Sequence, residues 1–252
     1  MLEDLKRALF ETVSEMINQE DAVAVSFSGG IDSTLLSKIC YDLRKKVTLL
    51  TIGFPKSPDI EFSKVISLKM GLLHKIHELN DTDLHSAIEY LHKKVDCKNV
   101  SHFENCLAYF YIARLACQNQ IRLILSANGC DELFCGYNQY RLVYDQGEQK
   151  IMKLMDEKIT NEFILMKKIE TIATDFGITI KQPFLSPKFI SFAKNIPVDQ
   201  KIKSSNDFTR KHILREAALS FGVPLESAMK AKKALQYGSL IHKTLKKKLE
   251  YI

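Results

Sequence analysis

Apolar residues return along the chain with two different periods. Between residues 2 and 19 they recur every three to four positions, at Leu2, Leu5, Leu9, Val13 and Met16, which predicts an amphipathic helix. The next apolar run, Ala22 to Phe27, is short and almost continuous, as in a strand buried on both faces. A helix is expected from about Ser33 to Arg44, and a second strand over Val47 to Ile52 stops at Gly53-Phe54-Pro55. A helix follows from roughly Asp59 to Met70, then a weaker third strand over Leu72 to Leu79. Asn80 or Asp81 is placed to cap a helix reaching about Lys94, another helix covers His102 to Gln118, and Ile121 to Ser126 reads as the fourth strand. Strands alternating with helices predict an α/β fold with a doubly wound parallel sheet. In such sheets the ligand site lies beyond the carboxyl ends of the strands.

After Tyr144 the periodicity becomes helical, interrupted by Gly177, Pro183, Pro187, Pro197 and Pro224, and no strand is evident. The expected organisation is one domain of 252 residues, with an α/β core over 1–144 and a helical annex over 145–252 that completes the active site. There is no internal repeat and no low-complexity stretch.

Composition narrows the class. The hydrophobic content of 46% supports a sizeable core. A net charge of +6, from 36 Lys and Arg against 30 Asp and Glu, is compatible with polyphosphate or RNA without demanding either. The basic run Lys246-Lys247-Lys248 alternates with Leu245 and Leu249 at helical spacing and reads as a solvated helix face. The six cysteines, at 40, 97, 106, 117, 130 and 135, form no CxxC pair, so reduced thiols are expected. No signal-peptide core and no apolar run near the roughly 18 residues of a membrane span are present, and the expected location is cytoplasmic.

The chemistry begins at the end of the first strand, with Ser26-Phe27-Ser28-Gly29-Gly30-Ile31-Asp32-Ser33-Thr34. Two glycines between a buried strand and a helix let backbone N–H groups face an anion, with the helix dipole adding positive potential. The third glycine of a dinucleotide fingerprint and the Gly-Lys-Ser/Thr of a Walker loop are both absent. The string resembles instead the S-G-G-x-D-S signature of the PP-loop ATP pyrophosphatases, which cleave ATP between the α and β phosphates and adenylate a substrate.

Three further stretches sharpen this resemblance. Residues 126–140, SANGCDELFCGYNQY, are similar to the asparagine synthetase string S-G-E-G-A-D-E-L-F-G-G-Y. Gly177 to Lys201 resembles that family's G-x-E-x-R-x-P-F-L-D segment. Arg210-Lys211-His212-Ile213-Leu214-Arg215 and Lys230 to Ser239 are similar to its R-K-x-x-L-R and R-x-K elements. The four stretches stand in family order from about residue 20 onward. They match the synthetase half alone: the glutaminase half opens on a nucleophilic cysteine, and residue 2 here is Leu2.

The resemblance implies a set of roles. Phe27, Ser28, Gly29, Gly30, Asp32 and Ser33 would cradle ATP, with Ile52 and Gly53 at the nucleoside and Gly129 where close backbone approach matters. Asp32 and Asp131 would hold Mg²⁺, which takes one or two protein carboxylates and fills its shell from phosphate and water. Lys232 or Lys233, one residue apart in register, would neutralise the charge spreading over the α phosphate and departing pyrophosphate. The implied activity is an AMP- and pyrophosphate-forming ligase that activates a small-molecule carboxylate for an amine. Free ammonia or an ammonia-supplying protein is the expected nitrogen source, and RNA is the less favoured acceptor.

Departures lie on the acceptor side. Asn128 stands where the family's G-E-G-A-D has glutamate, Thr179 where x-E-x-R has glutamate, Lys181 for its arginine and Ser186 for the aspartate of P-F-L-D. If only the pocket has diverged, Asn128 and Thr179 should face each other beside Asp131. Cys130 and Cys135, flanking Asp131, could carry sulfur to an adenylated substrate. The reading adopted is the commoner one, cysteine as a small buried apolar residue. His74, His102 and Glu104 show no ligand spacing and receive no role.

Overall fold

The computed structural model describes residues 1–231 and 233–249. Lys232 therefore lies outside the described residues, as do residues 250–252. Five parallel strands form the sheet: β1 (Ala22–Ser26), β2 (Lys46–Gly53), β3 (Leu73–Glu78), β4 (Leu123–Leu125) and β5 (Thr179–Lys181), in the order β3-β2-β1-β4-β5. The chain moves outward from β1 to β3, then returns to the other side of β1 for β4. The reversal sits between β1 and β4, where a doubly wound sheet opens a crevice beyond the strand ends.

The helices of the first half are α1 (Leu2–Ile17), α2 (Ile31–Asp42), α3 (Pro58–Met70), α4 (Asp81–Lys94), α5 (Val100–Gln118), α6 (Cys130–Leu133) and α7 (Asn138–Val143). The second half adds α8 (Glu148–Asp175), α9 (Pro187–Lys194), α10 (His212–Ser220), α11 (Leu225–Met229), α12 (Leu235–Gly238) and α13 (Ile241–Leu249). Their limits follow local chemistry. The Ser57 hydroxyl accepts from Ile60 N–H ahead of Pro58 and starts α3, and Asn80 accepts from Asp83 N–H at 2.8 Å to start α4. Gly71, left-handed at φ 63°, ends α3.

Two cores cover the two faces. Val23, Val25, Leu49, Leu123 and Leu125 pack with α1, α2, α9 and α10, whereas Ala24, Leu50, Ile52 and Ile124 pack with α4, α5 and α8. The alternation within each strand is the period-2 pleat with both sides buried.

The second half is not purely helical. β5 pairs with β4, with Leu123 opposite Thr179 and Leu125 opposite Lys181, and so extends the sheet. Three residues are too few for a periodic signal, and only the neighbouring strand makes them one. Residues after 144 thus supply a strand as well as α8, which lies along α5.

Candidate active site

The PP-loop closes on itself before it meets any ligand. Ser33 Oγ accepts from Ser28 N–H at 3.3 Å and donates to the Gly30 carbonyl at 3.2 Å, while Ser28 Oγ accepts from Gly30 N–H at 3.3 Å. Ser227 of α11 donates to the Gly29 carbonyl at 2.7 Å and so pins the turn from outside. Gly30 is the N-cap of α2, which places Asp32 in the first turn, where the helix amides lack intrahelical acceptors. This geometry presents N–H groups and a positive helix end to an anion.

A cavity of about 370 Å³ opens at the β1–β4 reversal. One wall carries Phe27, Ser28, Gly30, Asp32 and Ser33, and another carries Asn128, Asp131, Lys211 and Arg215. Asn99 caps α5, which supplies His102 and Asn105; Lys158 and Glu162 come from α8, and Lys230 and Lys233 from the segment after α11. The predicted loop residues other than Gly29, together with Asn128, Asp131 and Lys233, are therefore brought together. Lys233 is exposed at the rim.

Other assignments change. Ile52 points into the α5-side core at 1% exposure, and Gly53 is covered where Phe54 N–H donates to the Ser239 carbonyl at 3.0 Å, so neither lines the cavity. Gly129, at φ 103°, approaches protein and not ligand: a Cβ there would lie 2.8 Å from the Phe184 carbonyl. Thr179 opens β5, its N–H bonded to the Arg122 carbonyl at 2.8 Å, and is solvent-exposed at the amino-terminal edge of the sheet. It is thus remote from Asn128, which follows the carboxyl end of β4. The expectation that these two share a pocket is wrong, because a parallel strand paired from Leu123 carries its first residue to the edge opposite the cavity.

A carboxylate absent from the sequence reading meets Asn128 instead. Glu162 of α8, about nine-tenths buried, accepts from Asn128 Nδ2 at 2.5 Å, and Asn128 Oδ1 accepts from Tyr109 Oη at 2.7 Å. Its signal was legible: Ile151, Met155, Ile159, Leu165 and Ile169 form the buried face of α8, and Glu162 interrupts that face in phase.

The predicted metal carboxylates converge on one atom. Lys211 Nζ stands 2.7 and 2.6 Å from the two oxygens of Asp32 and 2.8 Å from Asp131 Oδ1. Burial alone would lower the Lys211 pKa, but the adjoining Asp131 and Asp32 outweigh it and hold the ammonium protonated. Two carboxylates aimed at a single point fit a divalent cation in donor type and direction. Mg²⁺, at about 2.0–2.1 Å from oxygen, would need only these two from protein and the rest from phosphate and water. Among the described residues no cluster of three or more His, Cys, Asp or Glu is arranged to hold a metal by itself.

The remaining chemistry is structural. Burial raises the Cys130 thiol well above its usual range and Cys135 to about 12, so both stay protonated and pack as apolar residues. Burial also lowers His74 to about 4, between Thr51 Oγ1 at 2.8 Å and Ser67 Oγ at 3.0 Å. Glu104 pairs with His242 at 2.7 Å, tying α13 to α5. Lys230 reaches the PP-loop, its ammonium 3.3 Å from the Ser28 carbonyl and 3.8 Å from Asp59.

A parallel sheet with an S-G-G-x-D-S turn at its reversal and aspartates on two strand ends defines a protein of the PP-loop ATP pyrophosphatase fold. The sequence profile of the asparagine synthase family matches residues 4–168 and 144–251, and the chain belongs to that family. It is 24% identical over 255 residues to the glutamine-hydrolysing asparagine synthetase B of Escherichia coli, covering 93% of this chain and 44% of that one. A Methanocaldococcus jannaschii chain bearing the name of a glutamine-hydrolysing asparagine synthetase is 24% identical over 280 residues, covering 97% of this chain and 51% of its own length. The chain thus spans about half the length of these relatives. The NMN synthetase structure from Francisella tularensis shares the fold at a TM-score of 0.50 and 14% identity, over 94% of this chain and 77% of that one. Among the described residues no helix is long and apolar enough to cross a membrane.

Proposed function

We propose that this protein is an ATP-dependent ligase that releases AMP and pyrophosphate while joining a small-molecule carboxylate to ammonia or another amine. The observation that carries the reading is the convergence, in one cavity at the sheet reversal, of the PP-loop, Asp32, Asp131 and the buried carboxylate Glu162. The first-turn amides of α2 and the Lys230 ammonium suit the polyphosphate. Asp32 and Asp131 would hold Mg²⁺, which supplies charge neutralisation along the phosphates when bound. Lys233, and Lys232 beside it in sequence, would stabilise charge on the leaving pyrophosphate.

In the first step a carboxylate oxygen attacks the α phosphorus, the bond to the β-phosphate bridging oxygen breaks, and pyrophosphate leaves with the electron pair. In the second, the amine nitrogen attacks the activated carbonyl carbon, the bond to AMP breaks, and one proton leaves the nitrogen. Glu162 takes that proton, a role for which a threonine hydroxyl is too weak a base near neutral pH. Asn128 and Tyr109 hold its carboxyl in line, which explains how the acceptor side functions with Asn128 in place of a glutamate.

The test is a screen of amino acids, other carboxylates and transfer RNA for stimulated pyrophosphate release with Mg²⁺, ATP and ammonia. A carboxylate is expected to stimulate release. Stimulation by RNA alone, or ATP binding without release under any condition, overturns the proposal. With the carboxylate found, Glu162→Gln should lower amide formation by about a hundredfold or more while pyrophosphate release persists.

A further inference from the structure

Lys211 reaches the site at a cost in backbone strain. Arg210 and Lys211 are consecutive non-glycine residues in left-handed conformation, at φ 50° and 55°, which side chains disfavour. The strain is held from several sides. Asp207 Oδ1 accepts from Thr209 and Arg210 N–H groups, both at 3.0 Å, and Arg215 Nε donates to the Arg210 carbonyl at 2.8 Å. The passage for the side chain is cut to size: a Cβ at Gly136 would fall 2.5 Å from Lys211 Cε and 2.0 Å from Asp131 Oδ1. The result is an ammonium with a side chain 2% exposed, aimed at the midpoint of two carboxylates from different strand ends.

That midpoint is where a cation shared by Asp32 and Asp131 would sit. A tethered ammonium and a divalent ion cannot occupy it together. We propose that Lys211 is an internal stand-in for the metal: it holds the Asp32–Asp131 pair in the nucleotide-free protein, so that a divalent cation enters only with the nucleotide, whose phosphates draw the ammonium aside. This rests on the reading of the two aspartates as carboxylates for a nucleotide-borne cation. The device has a physical purpose. Two buried carboxylates without a counter-ion would repel each other or scavenge free metal, and an ammonium linked to the chain satisfies both without trapping one.

The test uses Mn²⁺ as probe, followed by electron paramagnetic resonance and calorimetry, on the full chain and its Lys211→Met and Lys211→Arg variants, with and without a non-hydrolysable ATP analogue. Without nucleotide, Lys211→Met is expected to bind one Mn²⁺ about tenfold or more tighter than wild type. Lys211→Arg, which keeps the charge, should resemble wild type. A merely structural lysine would not yield this gain. Should Lys211→Met fail to fold, Mn²⁺ should restore its folding. A folded Lys211→Met without the gain, an unfolded one that Mn²⁺ does not rescue, or wild type already binding Mn²⁺ as tightly as the variant overturns the inference. If wild type takes up Mn²⁺ together with the analogue in those cases, the proposed function stands without it. Wild type that takes up neither removes both.

Discussion

At Asp32 two demands meet, since the same carboxylate must face a cation and sit in the first turn of α2. Asp32→Asn removes the charge and keeps the volume, so circular dichroism should stay unchanged while pyrophosphate release falls by about a hundredfold or more. Thr179→Glu, by contrast, should leave turnover within about twofold of wild type, because Thr179 is exposed at the far edge of the sheet. Lys201 gives a stability prediction with a definite sign. It is fully buried, donates to the Ala193 carbonyl at 2.7 Å, and burial lowers its pKa to about 8 from an ordinary 10.5. Below pH 8 both folded and unfolded chains carry the proton, and the folded state bears the cost of a buried charge. Between 8 and 10.5 only the unfolded chain binds it, so wild-type stability rises with pH across that window. Lys201→Met should therefore stabilise at pH 7 by about 1–3 kcal/mol, with the gain shrinking from pH 8 to 10.5 in urea titrations.

Elements owe their positions here to a few close approaches. The turn after β4 presses against residues 183–185, with Gly129 at the contact and Glu132 Oε2 accepting its N–H at 3.1 Å. Tyr137 Oη donates to the other oxygen of Glu132 at 2.5 Å, so α6 is locked and Asp131 is aimed at the cavity. Gly129→Ala would combine an unfavourable backbone conformation with a clash against the Phe184 carbonyl. We expect a loss of about 2–4 kcal/mol in urea unfolding and weaker nucleotide binding, since Asp131 is displaced with the turn. Gly29 is under the same double constraint, at φ 72° with a Cβ falling 2.8 Å from the Phe62 ring, while Ser227 binds its carbonyl.

For the whole molecule, the two halves share one sheet and one cavity. β5 comes from after residue 144, as do Glu162, Lys211, Arg215 and Lys230 in the cavity wall. A fragment ending at residue 144 would lose an edge strand, the α8 cover on α5 and the counter-ion of Asp32. It should therefore lack a cooperative unfolding transition, whereas the full chain should show a single one in calorimetry. Two independent transitions in the full chain would separate the halves energetically.

The order of the first four strands and their helices, the Asn80 cap and the PP-loop with Asp32 and Asp131 were legible in the sequence. Those signals are local, in apolar period, capping residues and a contiguous glycine turn that has few other uses. The existence of β5, the displacement of Thr179 from the site, and the meeting of Lys211 and Glu162 with residues 179 and 34 positions earlier were decided only by tertiary structure. A three-residue strand has no period of its own, and a buried charge is defined by partners distant in sequence. Glu162 stands out in sequence only as a charge in phase with the apolar face of α8, and Lys211 only as part of a basic motif; their partners Asn128, Asp32 and Asp131 are set by the sheet.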